Sequence, residues 1–481
     1  MDGGTPLRVE QLVIEQAKRR PEHVALCFGT RRWTYARLSA EMERRAARLI
    51  QAGARSGDVI ATTEPVHDDT VIAFLACCRM DGAFLPLSPG LSATEVSHLM
   101  ARARVRLVLT ADGTPHPACP SVPALPVALP EEPGSTAQLP TLPDQRDMEA
   151  IAFIQPTSGT TGSMPKLVRI THGTLTWHRF RQSWWAGPDD VVYRPGIAYF
   201  PVRDLCELLY AGATFVLSHT THPARIEAEL VAYRVTGLVT VPAVLRLLAD
   251  QRGAPPAGLA LRVLSFTAAP LPRAVQEAAQ RRYGLPILQA YGSTEGGSMI
   301  RMPDEQTPDG SIGTPYAGVL TRIVTADGAD VPPGAIGELI VRSMGVMRDY
   351  LDDPAATARA LCDGWLWTGD LARCDGDGFY YLEGRRALHI NVGGFKVTPE
   401  EIEAVLETHP AVREAVVLPM PDVVHGEVPR AVIVPYDAPP TAAALRRFCR
   451  ERLATYKVPR CFEFRTELPR SPLGKVLRQQ L

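Results

Sequence analysis

The sequence predicts an α/β fold, with a large N-terminal domain of mainly parallel sheets and flanking helices followed by a small α+β C-terminal domain. Three observations carry this. Short apolar runs at 59–63, 105–109, 213–217, 237–241 and 263–266 are separated by helical stretches, the pattern of parallel strands joined by crossover helices. The texture changes beyond Tyr381 to a helix, strand and helix series with a basic tail. A length of 481 residues, at about 100 to 200 residues per domain, calls for two to four domains or subdomains.

Residues 7–19 have helical periodicity and stop at Pro21, and 24–28 followed by Gly29 read as a strand and turn. Residues 35–52 alternate charged and apolar positions with helical spacing and end at Gly53, as a C-capped amphipathic helix does. From 113 to 144 prolines recur with little periodicity, which predicts a surface connection between two subdomains. In the C-terminal part, 399–407 is a helix opened by proline, 412–418 a strand and 442–453 a helix.

Composition narrows the function. Hydrophobic residues make up 46% and charged residues 21% of the chain, so wholesale disorder is excluded. The 51 Lys and Arg against 52 Asp and Glu leave a net charge of -1, which gives no basic footprint for nucleic acid and points to a small-molecule partner. No apolar run reaches the roughly 18 residues of a membrane span; the best, 71–78, is followed by Arg79 and Asp81. The first twenty residues lack an apolar signal core, so a cytoplasmic protein is expected. Nine cysteines without CxxC spacing predict buried free thiols rather than zinc ligands or disulfides.

Five strings carry chemistry. Pro156-Thr157-Ser158-Gly159-Thr160-Thr161-Gly162-Ser163-Met164-Pro165-Lys166 follows a strand-like 151–154. Its small residues let N–H groups and hydroxyls converge on phosphate oxygens, with Lys166 near the charge. It is not a Walker loop, because Pro165 blocks the helix expected straight after one. By itself it suits a flexible surface loop equally well. Gln289-Ala290-Tyr291-Gly292-Ser293-Thr294-Glu295 places an aromatic ring, a hydroxyl and a carboxylate on one turn, the types a base, a phosphate and Mg²⁺ require. Trp367-Thr368-Gly369-Asp370 offers a carboxylate for vicinal hydroxyls, or an ordinary Asx-turn. Gly384-Arg385 and Pro469-Arg470-Ser471-Pro472-Leu473-Gly474-Lys475 add cations at the two ends of the small domain, where solvated surface is the ordinary alternative.

In this order and spacing the strings resemble the adenylate-forming superfamily of acyl- and aryl-CoA ligases, nonribosomal adenylation domains and luciferase-like enzymes. The resemblance runs from about Gln11 to Leu481, and Gly337-Glu338-Leu339 and Glu400-Glu401-Ile402-Glu403 also fall in family places. It implies that an acid's carboxylate attacks the α-phosphate of ATP, releasing pyrophosphate and leaving an acyl-adenylate. It further implies residues 1–384 as the ATP and acid domain and 385–481 as a mobile lid.

By the match, Thr157, Ser158, Gly159, Thr160, Thr161, Gly162 and Lys166 hold the β- and γ-phosphates, and Tyr291 lies against adenine. Ala268, Ala269 and Gly292 complete the nucleotide set, Thr294 contacts phosphate, Glu295 binds Mg²⁺, and Asp370 takes the ribose hydroxyls. Arg385 is the hinge-proximal arginine, and Lys475 bridges the attacking carboxylate and the nucleotide. Gly393-Gly394 matches the loop lining a thiol tunnel after domain rotation, so coenzyme A or a phosphopantetheinyl carrier protein is the expected acceptor. Only six residues follow Lys475, so a carrier would come in trans.

The chain also departs from the family pattern. Two residues, Ser163 and Met164, precede Pro165-Lys166 where one is usual, and Leu167 replaces a customary glycine. Ala387 stands at a hinge position where Asp or Lys is common, and Asn391 where lysine is common. Tyr199 occupies the place where amino-acid-activating relatives keep an aspartate, which disfavours an α-amino acid whose buried ammonium would lack a partner. The same alignment gives Tyr199, Phe200, Arg203, Ser265, Thr267, Ala290, Ser298 and Met299 as the acid pocket, suited to an aryl or modest-sized functionalised acid; core packing for Tyr199 and Phe200 and a surface place for Arg203 are the alternative. The function expected is an ATP-dependent acid–thiol ligase. An amine acceptor, or a catalytically silent nucleotide-binding homologue, are the alternatives.

Overall fold

The structure, a computed structural model, describes residues 7–481 except 92, 129–146, 158–164, 178–185, 197–199, 268–270, 272, 301–306, 309, 386–389, 393–394, 398, 423–425, 454 and 471–475. Among the described residues, two seven-stranded sheets form the body of the N-terminal part. In the first, the strands Ile287–Gln289, Val263–Phe266, Gly237–Thr240, Val191–Arg194, Thr214–Leu217 and Val24–Phe28 run parallel, and Arg31–Thr34 closes the edge antiparallel. In the second, Ile151–Pro156, Ala83–Pro86, Val59–Thr62, Leu107–Thr110 and Ala124–Pro126 are parallel. Leu167–Thr171 and the two-residue strand Asp349–Tyr350 then add antiparallel at one edge.

Helix packing follows from sequence spacing. In the helix Tyr35–Gln51, the Thr34 hydroxyl caps the N-terminus by accepting from the Arg37 N–H, and Leu38, Met42, Ala46 and Leu49 form the buried face. The helix Asp68–Arg79 is buried nearly all round and lies between that helix and the sheets. Its Phe74 meets Phe84, Phe153 and Phe200 at ring-centroid distances of 5.4–5.8 Å, an aromatic centre to the largest core.

A third, antiparallel sheet is built from Leu320–Val324, Gly337–Arg342, Trp365–Cys374, Leu361–Cys362 and Tyr380–Arg385. A fourth, from Ile390 onward, has its own core of Ile390, Val397, Ile402, Leu406, Val417, Ile433, Leu445 and others, all from the C-terminal hundred residues. All nine cysteines are free; six are buried, Cys374 and Cys461 are half-buried, and Cys362 is exposed, which corrects the expectation that all are buried. The proline-rich 113–144 segment is not wholly a connection either. Ala124–Pro126 pairs with Leu107–Thr110 at the sheet edge, where proline's missing N–H costs no ladder bond.

Candidate functional site

The Pro156 to Lys166 string forms a loop between two antiparallel strands. Pro156 pairs with Leu167 and Gln155 with Val168, and the Thr157 N–H donates to the Lys166 carbonyl at 2.8 Å, closing the neck. A strand, not a helix, follows Lys166, as Pro165 requires. Ser158, Gly159, Thr160, Thr161 and Gly162 lie outside the described residues. The Lys166 ammonium stands 4.7 Å from the centre of the Tyr350 ring, a cation–π distance.

The second string folds as a hairpin of Tyr291–Ser293 and Gly297–Ile300, with Thr294, Glu295 and Gly296 in the turn. Glycine is required twice. A Cβ on Gly292 would lie 2.3 Å from the Gly297 carbonyl oxygen, and Gly297 itself has φ +69° with a notional Cβ 2.5 Å from Arg203 Nη1. The turn is then tied down from outside. Arg203 donates through Nη2 to the Thr294 carbonyl at 3.1 Å and through Nη1 to the Gly345 carbonyl at 3.3 Å. The Met347 N–H reaches the Glu295 carbonyl at 2.6 Å, and the Tyr350 hydroxyl donates to Glu295 Oε1 at 2.9 Å.

The third string supplies Asp370, nine-tenths buried in the strand Trp365–Cys374. Tyr291 donates its hydroxyl to Asp370 Oδ2 at 2.7 Å, and the Thr368 hydroxyl accepts from the Asp370 N–H at 3.1 Å. Strand register sets Arg385 directly opposite Asp370. The hairpin, Asp370 and Arg385 are thus brought together by pairing between segments far apart in sequence. Tyr199, Ala268, Ala269, Ala387, Gly393, Gly394 and Lys475 lie outside the described residues.

The acid-pocket residues divide. Thr267 and Ala290 follow the carboxyl ends of parallel strands, where their N–H groups donate to the Thr240 and Phe266 carbonyls at 3.2 and 2.9 Å; both are half-buried, as is Ser298. The carboxyl ends of parallel strands are the usual ligand edge of such sheets. Phe200, Ser265 and Met299 expose 2%, 1% and 0%, so they are core positions: Phe200 belongs to the aromatic centre, and Met299 packs with Trp177 and Tyr291. Arg203 is neither bare surface nor pocket wall alone, since its guanidinium braces the Glu295 turn.

Hard oxygen donors and a nearby cation suit Mg²⁺ and a polyphosphate. Tyr350 holds Glu295 Oε1, while Oε2 makes no hydrogen bond among the described residues, and one carboxylate oxygen with phosphate oxygens is a usual Mg²⁺ environment. His67, Asp68 and Asp69 also cluster. Those carboxylates are engaged by Arg31, Arg45 and Trp33, so they serve the fold. Tyr350 and the bracing role of Arg203 are absent from the sequence expectations. The only local signal is the stretch Arg348-Asp349-Tyr350-Leu351 shortly after Gly337-Glu338-Leu339.

The chain is similar to known proteins along nearly its whole length. The family described as AMP-binding enzyme matches residues 13–351, and the AMP-binding enzyme C-terminal domain matches residues 401–475. The chain is 31% identical to feruloyl-CoA synthase of an Amycolatopsis species, with 97% of each chain covered. It is 32% identical to 2-succinylbenzoate–CoA ligase of Geobacillus kaustophilus, with 97% of this chain and 96% of the other covered. It is also 31% identical to the fatty acid–[acyl-carrier-protein] ligase ScoC of Streptomyces coeruleorubidus, with 97% and 94% covered. Among solved structures, o-succinylbenzoate CoA synthetase (MenE) of Bacillus subtilis with its acyl-adenylate intermediate superposes with a TM-score of 0.88 at 28% identity, covering 99% of this chain and 98% of that one. A glycine-tied carboxylate turn, a lysine-bearing loop and an aspartate–tyrosine pair in one fold therefore accompany similarity along the whole chain: it belongs to the AMP-binding, adenylate-forming enzyme family of acid–thiol ligases.

Proposed function

We propose that this protein activates a carboxylic acid with ATP and Mg²⁺ and transfers the acyl group to the thiol of coenzyme A or of a carrier protein. The observation that carries the proposal is that Tyr350 links Lys166 to Glu295, while Tyr291 of the same hairpin holds Asp370, which strand register sets opposite Arg385. The acid oxygen bonds to the α-phosphorus as the bond to pyrophosphate breaks. Bound Mg²⁺ would spread the charge of the departing pyrophosphate.

The chain's own groups do the rest. Lys166 offsets negative charge at the loop, and Glu295 Oε2 presents an oxygen to the metal. Asp370 accepts from the ribose hydroxyls, with Tyr291 fixing one of its oxygens. Thr267, Ala290 and Ser298 border the acid. Catalysis in such a site is mostly orientation and charge stabilisation. Lys475, on the segment from 385 onward, would join the two anions in the first half-reaction, and rotation of that segment would admit the thiol.

The relatives named for feruloyl and 2-succinylbenzoyl substrates support an aryl or modest-sized functionalised acid, and the carrier-protein ligase keeps that acceptor open. A net charge of -1 and the lack, among the described residues, of a helix long and apolar enough to span a membrane support a small-molecule enzyme of the cytoplasm. The test is ATP-dependent hydroxamate formation from benzoic, cinnamic, short, medium and long-chain acids with hydroxylamine and no natural acceptor. Product from an aryl acid is expected, and addition of coenzyme A, carrier protein or amines then identifies the acceptor. Silence across the panel, with ATP binding intact, would overturn the proposal in favour of a silent homologue.

A further inference from the structure

The short strand Asp349–Tyr350 lies between the two halves of the phosphate and metal site. On one side it pairs antiparallel with Leu167–Thr171, Tyr350 opposite Val168, directly after Lys166. Main-chain bonds on either side, Arg348 N–H to the Arg169 carbonyl at 2.9 Å and Leu351 N–H to the Leu167 carbonyl at 2.8 Å, remove any freedom to slide. The Arg169–Asp349 ion pair and the bond from the Tyr350 N–H to the Thr357 hydroxyl at 3.0 Å add further ties. On the other side the Met347 N–H fixes the Glu295 carbonyl.

The Tyr350 side chain spans what remains between them. Its ring, 8% exposed, has the Lys166 ammonium over one face, and its hydroxyl meets Glu295 Oε1. A tyrosine present only for packing would need neither a cation on its face nor a carboxylate at its hydroxyl. The hydroxyl is the donor in this bond, because the ionised carboxylate can only accept.

We propose that Tyr350 is a positioning residue of this reaction: its hydroxyl holds one Glu295 oxygen so that the other faces the metal, and its ring seats Lys166 beside the phosphates. One side chain thereby couples the cation beside the phosphates to the carboxylate that would hold the metal. The proposal rests on the ligase reading given above.

The test measures Mn²⁺ affinity of the full chain saturated with ATP, by the electron paramagnetic resonance signal of free Mn²⁺, together with ATP binding without metal and thermal melting. Tyr350→Phe keeps the ring and loses the donor. A hydrogen bond to a charged acceptor predicts roughly a tenfold loss of Mn²⁺ affinity, with metal-free ATP binding and melting like wild type. Tyr350→Leu also removes the face under Lys166, and metal-free ATP binding then falls about threefold to tenfold. Glu295→Gln with Tyr350→Phe together should weaken Mn²⁺ no further than Glu295→Gln alone, because the two act as one unit.

Wild-type Mn²⁺ affinity in Tyr350→Phe, beside a clear loss in Glu295→Gln, overturns the Tyr350 inference and leaves the ligase reading standing. Additive losses in the double variant also overturn it. A Tyr350→Phe chain that melts early and loses metal-free ATP binding alongside Mn²⁺ marks a structural tyrosine. Unchanged Mn²⁺ affinity in Glu295→Gln removes the metal role of Glu295, and the inference with it.

Discussion

Gly297 shows how little room the catalytic turn has. Its φ of +69° and the Arg203 guanidinium, 2.5 Å from a notional Cβ, leave no place for a methyl group. Gly297→Ala should therefore cost about 1–3 kcal/mol in backbone strain alone. It should also push Arg203 away from the Thr294 carbonyl, so adenylation falls further than the drop in melting temperature explains. Calorimetric melting and pyrophosphate exchange on the same preparation check this, and wild-type exchange at a lowered melting point would show that the brace is dispensable. Glu295, Asp370 and Lys166 were singled out in the sequence through the order and spacing of their strings, since each string alone also reads as a surface loop or an Asx-turn. The roles of Tyr350 and Arg203 were not legible there, since they arise only when 350 pairs with 168 and 203 reaches 294. Phe200 and Met299, aligned along the acid, are 2% and 0% exposed, and their apolar side chains also pack in the core.

Among the elements, Tyr35–Gln51, Val263–Phe266 and Pro399–Glu407 match the expected bounds to within a residue, while the helix expected over 442–453 ends at Arg450 and the strand expected over 412–418 runs on to Asp422. Short edge strands such as Ala124–Pro126 and Asp349–Tyr350 were missed, because two or three residues cannot display a period and their pairing partners supply the order. The helix Pro399–Glu407 ends on a carboxylate in an awkward place. Burial pushes Glu407 from the ordinary value near 4.5 up to about 7; the Ala415 N–H at 3.3 Å and the Arg246 charge oppose this, and Glu403 and Glu414 add to it. A raised carboxylate pKa means that the neutral form suits the fold. Its contribution is full below about pH 4.5, declines as pH rises, and is lost above about 7. Glu407→Gln should accordingly match wild type near pH 5 and be more stable by about 1–3 kcal/mol near pH 8. Denaturant melts at the two pH values decide it, and an advantage that is the same at both would rule out titration of Glu407.

At the scale of the molecule, the C-terminal segment carries its own core, and the described residues on either side of 471–475 are tied to a second cluster on the same strands. Arg470 and Val476 form an antiparallel bridge, the Leu477 N–H donates to the Pro469 carbonyl at 2.8 Å, and Val476 and Leu481 pack on Val416, Leu418, Val432 and Val434. On the function proposed above, Lys475 serves one half-reaction and is withdrawn for the other. The charge it would offset exists only while carboxylate and α-phosphate approach, two anions that repel until the new bond forms, so its stabilisation belongs to that transition state. Lys475→Ala should lower acid-dependent pyrophosphate exchange on the order of a hundredfold or more, the usual consequence of removing a preorganised charge from a reacting centre. Thioester formation from a supplied acyl-adenylate, which needs no such neutralisation, should remain within a few-fold of wild type. The two rates are measured separately on one preparation, with the adenylate made chemically. Equal loss in both would mean that Lys475 supports the segment's structure instead, and survival of both would remove it from the reaction and with it the reason for that segment to rotate.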